Sequence, residues 1–412
     1  MKTLGIYVQV PFCQTKCTYC NFHTGVVAKE RFAPYVEAVC REIRHQGELL
    51  RAAGVAWGSD KESEYCADTA YFGGGTPSLL EARQLQKILE TMRDVFEANE
   101  SARDKVNLGS STQSSQRAPG RFVEVTLEAD PETVEEEKAA AWVKAGINRV
   151  SLGVQSFVDK ELAAAGRMHR RADIYRAVPI LRAMGIHNIG FDLIAGLPHQ
   201  TAQSWKRSLE ELMALVPDHV SVYLLEVDEG SRLGKELLAG GARYGAPAVP
   251  NEDEMAEFYE MAREELASAG YRHYEISNWA KPEFESKHNL KYWRREAYLG
   301  FGAGAHSFSG SQRWANAHDA AAYVSAIRNG RLPVEQLETV TAEKALQEEL
   351  FLGLRQMSGI DVRRIERQYG VALRERFEPL AAAGLLERDG HVVRLAEGKL
   401  SVSNEVFVEL MK

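Results

Sequence analysis

The sequence predicts an α/β fold built on a parallel sheet, followed by a small α+β module. Strand-like and helical segments alternate from the N-terminus to about residue 225, which is typical of βαβ units. Polar residues follow these strands directly, as expected where a parallel sheet forms a ligand site. After Pro333 the pattern changes to short helices and a β-ribbon, which indicates a separate winged-helix-like module.

The strand assignments rest on short apolar, β-branched runs that end at turn residues. They comprise residues 4–10, 69–72, 122–127, 149–153, 188–194 and 219–225. Helical spacing is found in residues 31–53, 79–96, 133–145, 172–184 and 201–215. Thr133 and Glu136 fit a capping box at the start of the third helix. Six strands suit either a doubly wound sheet or a full or partial (β/α) barrel.

The remaining segments are expected to be connections and the C-terminal module. Residues 99–120 lack an apolar pattern and are expected to form a surface loop. Residues 240–250 are rich in Gly, Ala and Pro and are expected to form a linker. The module is expected to contain helices over 343–354, 362–368 and 377–386. Residues 391–395 and 400–403 are expected to pair as its hairpin.

Composition excludes several classes of protein. The 412 residues include 50 basic and 58 acidic side chains, a formal charge of −8, so we expect no generic nucleic-acid binding. Hydrophobic residues at 45% and charged residues at 26% are ordinary globular values and exclude global disorder. No apolar run is long enough for a membrane span, and no secretion signal begins the chain. We therefore expect a cytoplasmic protein.

Three of the five cysteines lie within eight residues. Cys13, Cys17 and Cys20 have the spacing C-x₃-C-x₂-C, and thiolates are soft ligands for zinc or iron–sulfur clusters. Structural zinc needs four protein ligands, so three cysteines on one loop favour a 4Fe–4S cluster with one open iron. The alternatives are a zinc site completed by His23 or three buried thiols. The other two, Cys40 in a predicted helix and Cys66 just before a predicted strand, are expected to be ordinary core or surface cysteines.

Four further features lie at the ends of predicted strands. The run from Gly73 to Pro77 (GGGTP) follows the second strand, and such a turn allows a ligand close to the backbone. Glu128 ends the third strand, Gln155 follows the fourth and Asp192 lies in the fifth. Each could cap a helix or stabilise a loop, but their placement on successive strands favours one shared ligand site.

The cysteine spacing and these strand-end residues resemble the radical S-adenosylmethionine (SAM) superfamily. The resemblance implies a partial (β/α) barrel of the radical-SAM type. It also implies that the open iron of the cluster binds SAM through its amino and carboxylate groups. Reduction by one electron then cleaves SAM to methionine and a 5′-deoxyadenosyl radical, which requires an electron donor.

A narrower resemblance covers nearly the whole chain. The runs from Tyr7 to Cys13 (YVQVPFC) and from Gly166 to Arg170 (GRMHR) are similar to the branch that contains oxygen-independent coproporphyrinogen III oxidase. In that branch certain residues line the SAM site. They correspond here to Tyr7, Tyr19, Gly74, Gly75, Thr76, Glu128, Gln155, Arg167 and Asp192. The C-terminal module also resembles that of the branch, where it lies near the barrel mouth.

Two features resemble the heme-chaperone (HemW) family rather than the oxidase. Phe22 occupies the position at which the oxidase carries a further cysteine. Residues 288–293 (HNLKYW) resemble the HNxxYW segment for which heme binding is proposed in the chaperones. The residues implied as heme contacts are His288, Asn289, Tyr292 and Trp293. Histidine can ligate heme iron and aromatic rings can pack on a porphyrin. His306 and His273 are competing candidates, and a hydrogen-bonded core histidine is the alternative interpretation.

The resemblance therefore implies a heme chaperone that passes heme to heme-dependent proteins, with respiratory proteins as the expected recipients. It implies three regions: residues 1–235 as the barrel, 236–332 as an extension with the HNxxYW segment, and 333–412 as the C-terminal module. Peripheral membrane contact is compatible with such recipients. No catalytic residue is assigned. The alternatives are the oxidative decarboxylation of coproporphyrinogen III and another radical-SAM reaction on a tetrapyrrole, such as a heme-degrading methyltransferase.

Overall fold

The computed structural model describes residues 2–52, 65–96 and 122–410. In these residues the strands of the large sheet are β1 Lys2–Val10, β2 Tyr65–Gly74, β3 Glu124–Ala129, β4 Arg149–Gln155, β5 Asn188–Ala195, β6 His219–Leu224, β7 Arg272–Glu275, β8 Asn278–Ala280, β9 Tyr298–Phe301, β10 His306–Phe308, β11 Gln312–Asn316 and β12 Val334–Thr339. The C-terminal sheet contains β13 Ile360–Asp361, β14 Leu386–Asp389 and β15 Val392–Leu395.

The α-helices connect and cover these strands. They are α1 Phe32–Ala52, α2 Ala82–Phe96, α3 Glu136–Ala145, α4 Asp159–Ala164, α5 Arg171–Ala183, α6 Ala202–Leu215, α7 Arg232–Leu238, α8 Glu252–Ser268, α9 Lys287–Trp293, α10 Ala320–Arg328, α11 Ala342–Leu354, α12 Val362–Tyr369, α13 Arg374–Ala382 and α14 Ser403–Leu410. Within the described residues, none of them combines the length and the apolar run needed to cross a bilayer.

The first six strands form the parallel unit that the sequence predicts. β1 to β6 lie side by side in chain order, and each neighbouring pair is parallel. The strand–helix alternation, the six strands and the partial barrel are therefore confirmed. Because the strands are parallel, their C-terminal ends and the polar loops that follow them meet at one edge of the sheet.

The sheet is wider than the six predicted strands. β9 pairs parallel with β1 on its free side, and β10, β11 and β12 continue antiparallel beyond it. At the other end, β8 pairs antiparallel with β6, and β7 pairs antiparallel with β8. The sequence does not reveal these strands because most have only three to six residues, too few for a clear alternation.

The alternation of side chains in β1 shows how the layers form. Leu4, Ile6, Val8 and Val10 are almost fully buried, whereas Tyr7 lies among the polar residues on the opposite face. Successive side chains of a strand point to opposite faces, so the apolar set packs under the helices and the polar set lines the barrel interior.

Two local expectations are wrong. Thr133 ends a 3₁₀ turn, and its hydroxyl oxygen lies 2.7 Å both from the Ser78 hydroxyl and from the Asp130 carbonyl oxygen, while α3 begins at Glu136 after Glu135. Residues 240–250 are not a free linker, because His199 donates a backbone hydrogen bond to the Ala248 carbonyl of a 3₁₀ segment there. The expected loop at 99–120 lies outside the described residues.

The C-terminal module has the expected character with a different hairpin. β14 pairs with β15, and β15 pairs with β13, whereas residues 400–403 are helical. The expected helix over 377–386 ends at Ala382, so Leu386 begins β14 instead. The module is joined to the barrel at β7, where Glu275 pairs with Arg355 over 2.7 Å. This ion pair helps to hold the module at the open side of the barrel.

Candidate functional site

The cavity at the C-terminal ends of the barrel strands has a volume of about 530 Å³. It is lined by residues from the loop after β1, from β2 to β6, and from the C-terminal module. The predicted residues that line it are Cys13, Cys17, Tyr19, Cys20, Gly74, Gly75, Thr76, Glu128, Gln155, Arg167, Asp192 and Asn289. The size is within the usual range for ligand pockets.

The cysteine loop is held by backbone contacts with two helices. Thr18 donates from its N–H to the Ala165 carbonyl over 3.0 Å and from its hydroxyl to the Ala164 carbonyl over 2.9 Å. The Thr18 carbonyl accepts a hydrogen bond from the N–H of Leu233 at 2.8 Å. These bonds attach the loop to the ends of α4 and α7, so the thiols are positioned by the barrel's own helices.

The three thiols have the chemistry of an iron–sulfur site. Cys13, Cys17 and Cys20 are free and half-buried, and burial raises the pKa of the Cys13 thiol. A structural zinc ion takes four protein ligands, whereas an iron–sulfur cube takes one thiolate at each of several irons. Three thiols on one loop therefore fit a cluster.

The Gly73–Pro77 turn lies directly against the cysteine loop. Gly75 donates its N–H to the Val10 carbonyl, and Thr76 donates to the Phe12 carbonyl, at 2.8 and 2.7 Å. A Cβ on Gly75 would lie 2.5 Å from the Phe12 oxygen and 3.0 Å from the Cys13 sulfur. Only glycine permits this approach, so the turn and the thiols form one site.

Glu128 is the carboxylate beside this turn. Its Oε1 accepts from the Tyr71 hydroxyl at 2.8 Å and its Oε2 from the Gly74 N–H at 3.1 Å. Burial raises the pKa of Glu128 to about 7, with the negative charge of Asp192 acting in the same direction. A buried carboxyl with this pKa is poised to pair with a cationic ligand group.

Arg167 connects the cysteine loop with the end of β3. Its Nη1 donates to the Cys17 sulfur at 3.4 Å, and its Nη2 pairs with Asp130 and donates to the Gly153 carbonyl at 3.0 Å. Gln155 also lines the cavity, and its backbone has a φ of 63°, an uncommon value for a residue other than glycine. Such backbone conformations cluster at ligand sites, where surrounding contacts hold them.

Asp192 and its neighbours form the inner wall on β4 to β6. Asp192 accepts a hydrogen bond from the Ser151 hydroxyl at 2.9 Å, and burial raises the pKa of its carboxyl. Tyr7 does not line the cavity. Its hydroxyl donates to the side chain of Gln9 at 2.6 Å, and its ring lies behind Gly73, so it supports the wall from beneath.

The HNxxYW segment forms α9, and most of it faces away from the cavity. His288 is 1% exposed, its Nδ1 lies 2.9 Å from the Thr69 hydroxyl, and its Nε2 lies 2.8 Å from the Tyr292 hydroxyl. Burial lowers the pKa of His288 to about 3, helped by Lys291. Both ring nitrogens are thus occupied in this conformation, and Asn289 is the one predicted heme contact that lines the cavity.

The other aromatic residues of this segment and the competing histidine His273 are also packed. The Arg355 guanidinium lies 4.9 Å from the Trp293 ring centroid, against the C-terminal module. The His273 ring stacks on Trp279 at 4.1 Å, and its Nε2 lies 3.1 Å from the Ile276 carbonyl oxygen. His306, in contrast, is exposed at the start of β10.

Sequence reasoning missed several polar residues of the cavity. Asp130 holds Arg167, Tyr71 holds Glu128, and Arg149, His219 and Arg355 line the deeper wall. Asp130 lies two residues after Glu128, and its signal was its position just after β3. No sequence pattern pointed to Arg355, because it lies 80 residues from its partner Glu275 in sequence.

Comparison with known proteins places the chain in a family. Residues 7–212 match the model of the radical SAM superfamily, and residues 340–397 match that of the HemN C-terminal domain. Over its whole length the structure is similar to coproporphyrinogen III oxidase (HemN) from Escherichia coli, described as a radical SAM enzyme, with a TM-score of 0.79 and 21% identity over 90% of that chain. This likeness shows the fold.

The sequence relationship is closer to another group. The heme chaperone HemW of Bacillus subtilis is 32% identical over 406 residues, covering 97% of both chains. HemW of Mycobacterium tuberculosis is 33% identical over 406 residues, covering 97% of this chain and 93% of its own. HemW of Escherichia coli is 31% identical over 74% of this chain and 70% of its own. Together with the barrel and its cysteine loop, these relationships show that the chain belongs to the HemW heme-chaperone family of the radical SAM superfamily.

Proposed function

We propose that this protein is a heme chaperone, which binds heme and transfers it to heme-dependent proteins, respiratory proteins among them. The observation that carries the proposal is the full-length relationship to proteins named heme chaperones. Phe22 supports it, because the oxidase-like pattern has a cysteine there. The cavity supports the radical-SAM scaffold, since thiols, glycine turn and strand-end residues line one space.

Superfamily membership implies a 4Fe–4S cluster and SAM, and the residues present fit both. Cys13, Cys17 and Cys20 would hold the cluster. When bound, the cluster supplies an electron and SAM supplies a reactive nucleotide fragment. The chain itself positions the ligand. Gly74 and Gly75 admit it close to the backbone, and Glu128 offers a carboxylate to its amino group.

The remaining SAM contacts would act through the charge and shape of the wall. Arg167 provides a guanidinium for a ligand carboxylate, and Asp192 provides an acceptor for ligand hydroxyls. Tyr19, Thr76 and Gln155 would complete the lining, with Tyr7 supporting it from beneath. The C-terminal module covers the open side with Leu400, Ser403 and other residues, which limits the access of water.

The α9 segment is our proposed inner heme contact, and it needs a local rearrangement. His288 could bind iron through Nε2 only after the Tyr292 hydroxyl moves away. Its low pKa keeps the imidazole neutral, which is the form that ligates iron. Asn289 and the rings of Tyr292 and Trp293 would then contact the porphyrin.

A transfer assay tests the chaperone proposal. The anaerobically reconstituted protein is loaded with heme, separated from free heme, and mixed with the apo form of a b-type cytochrome. We expect the Soret band to shift to that of the holo-cytochrome faster than it does when the same heme is supplied as a complex with serum albumin. In a parallel assay the reconstituted protein receives coproporphyrinogen III, SAM and a reductant, and decarboxylation of the coproporphyrinogen is measured.

The two assays separate the candidate functions. Efficient decarboxylation of coproporphyrinogen III would contradict the chaperone proposal and favour the oxidase. Absence of a stable heme complex would contradict it as well. Heme transfer that needs neither SAM nor the cluster would leave the chaperone function in place.

A further inference from the structure

A cluster of three histidines lies on the outer side of the cysteine loop. The rings of His23 and His318 are 4.2 Å apart between centroids and are tilted by 38°. His306 is close enough to both for their charges to act on it. None of the three lines the cavity of the proposed SAM site. We call this group the outer histidine cluster.

The topology explains why residues this distant in sequence meet. β1 and β9 are parallel neighbours, so the cysteine loop after β1 and the turn after β9 leave the same edge of the sheet. β10 starts at that edge with His306, and β11 runs back to it and is followed by His318. Three separate segments thus deliver one imidazole each to the same place.

Local contacts hold each histidine there. Thr24 donates its N–H to the Phe22 carbonyl at 2.8 Å, which makes a tight turn with His23 at its tip. Gly304 donates its N–H to the Ala317 carbonyl at 2.8 Å, next to His318. The Nδ1 of His318 is buried and has no hydrogen-bond partner among the described residues. A buried polar atom without a partner is rare and needs an explanation.

The surroundings of the cluster suit a flat apolar ligand with a metal at its centre. Phe22 is 64% exposed and Val26 is 61% exposed, on either side of His23 in the same turn. Partial burial lowers the pKa of His306, and so do the neighbouring charges of His318, Arg313 and His23. Exposed imidazole beside exposed apolar side chains is the chemistry that heme iron and a porphyrin face require.

Resting on the proposed chaperone function, we propose that the outer histidine cluster is a heme docking site, with His23 as the axial iron ligand. His318 orients His23 through their ring contact, and His306 lies beside the pair. An exposed ligand can receive heme and release it to an acceptor without any rearrangement of the chain. His288, which is buried with both nitrogens bonded, cannot do this directly. The heme site then lies on the outer side of the cluster loop, and Phe22, which also lines the cavity, is shared between it and the proposed SAM site.

Stopped-flow mixing of the reconstituted protein with substoichiometric ferric heme tests the assignment. The readouts are the rate of Soret formation, as a difference spectrum against the heme-free protein, and the low-spin EPR signal of imidazole-ligated heme. We expect His23→Gly to lose the fast Soret phase and the low-spin signal, and added imidazole to restore both. His318→Ala should weaken heme binding roughly tenfold, as loss of an orienting partner typically does.

Controls distinguish this proposal from the function on which it rests. His187→Ala removes an exposed histidine at the opposite edge of the sheet, just before β5, and should bind heme like the wild type. Wild-type kinetics in His23→Gly and His318→Ala would overturn the outer site. No Soret band in the wild type would instead overturn the chaperone function itself.

Discussion

The guanidinium of Arg167 donates a hydrogen bond to the sulfur of Cys17 over 3.4 Å, while its other nitrogen pairs with Asp130. The loop after β1, the loop after β3 and the end of α4 therefore meet at a single cation. A positive charge beside a cluster ligand favours the more negative, reduced form of an iron–sulfur cluster. Arg167 is thus placed to act on the cluster as well as on a ligand carboxylate.

Replacing Arg167 should change the reduction potential of the cluster. Arg167→Ala should still assemble the cluster but lower its potential, because the stabilising charge is lost. It should also destabilise the fold by about 3 kcal/mol, since Asp130 is left partly buried without its ion-pair partner. EPR-monitored redox titration and chemical denaturation measure the two effects. Arg167→Lys keeps the charge without the planar fork and should recover more of the potential than of the SAM affinity. An unchanged potential in Arg167→Ala would contradict this role.

Substitution of a cluster cysteine should remove the cluster and little else. Cys17→Ser should abolish the broad iron–sulfur absorbance, and the thermal unfolding of the apo protein should stay close to that of the wild type, because Cys17 is half-buried on a loop. Iron and sulfide analysis after anaerobic reconstitution measures the result. Cys66→Ser is the matched control, since Cys66 lies in β2 away from the loop, and it should keep the full iron content. One zinc per chain in the wild-type protein would contradict the cluster assignment.

A side chain at Gly75 should disrupt the contact between the glycine turn and the thiols. Gly75→Ala places a methyl group 2.5 Å from the Phe12 carbonyl oxygen, so one of the two loops must move. We expect a loss of stability of about 1–3 kcal/mol and a lower cluster content. Gly25→Ala, in the cysteine loop, meets no atom within 4 Å and should be tolerated. Equal cluster content in both variants would show that the close approach is unnecessary.

The raised pKa of Glu128 predicts a defined pH dependence. Its pKa of about 7 in the folded state lies above the ordinary value of 4.5, so between these values the folded state holds a proton that the unfolded state has lost. This carboxyl therefore contributes a stability that falls as pH rises from about 4.5 to 7. Glu128→Gln should flatten the slope of unfolding free energy against pH relative to the wild type. In SAM titrations by anaerobic calorimetry, wild-type affinity should rise from pH 6 to 8, and that of Glu128→Gln should not. A rise in both proteins would exclude Glu128 as the source.

Freeing His288 should report on the proposed inner heme contact. Tyr292→Phe removes the hydroxyl that holds the His288 Nε2 at 2.8 Å and should cost about 1 kcal/mol of stability. If His288 ligates iron after this bond opens, the variant should bind heme more tightly than the wild type. His288→Ala should lose the gain in the Tyr292→Phe background. Heme titrations followed at the Soret band measure both, and equal affinity in all three proteins would confine His288 to a packing role.

Much of the barrel could be predicted because its signal is local. β1 to β6 have runs of β-branched and apolar residues separated by helical spacing, and parallel connection follows from that alternation. The cysteine loop and the GGGTP turn were also visible, since their chemistry depends on residues adjacent in sequence. The Thr133 cap and the 391–403 hairpin were wrong, because caps and short strand pairs are decided by contacts outside the segment.

By itself, the sequence determined the parallel unit, the three neighbouring thiols and the strand ends at which polar side chains would converge. Periodicity and spacing carry this information along the chain. Only the tertiary structure decided that Asp130 holds Arg167 and that both nitrogens of His288 are occupied. It also decided that His23, His306 and His318 form one group. These facts depend on register and crossover, which bring residues tens to hundreds of positions apart into contact, and no local pattern encodes such pairings.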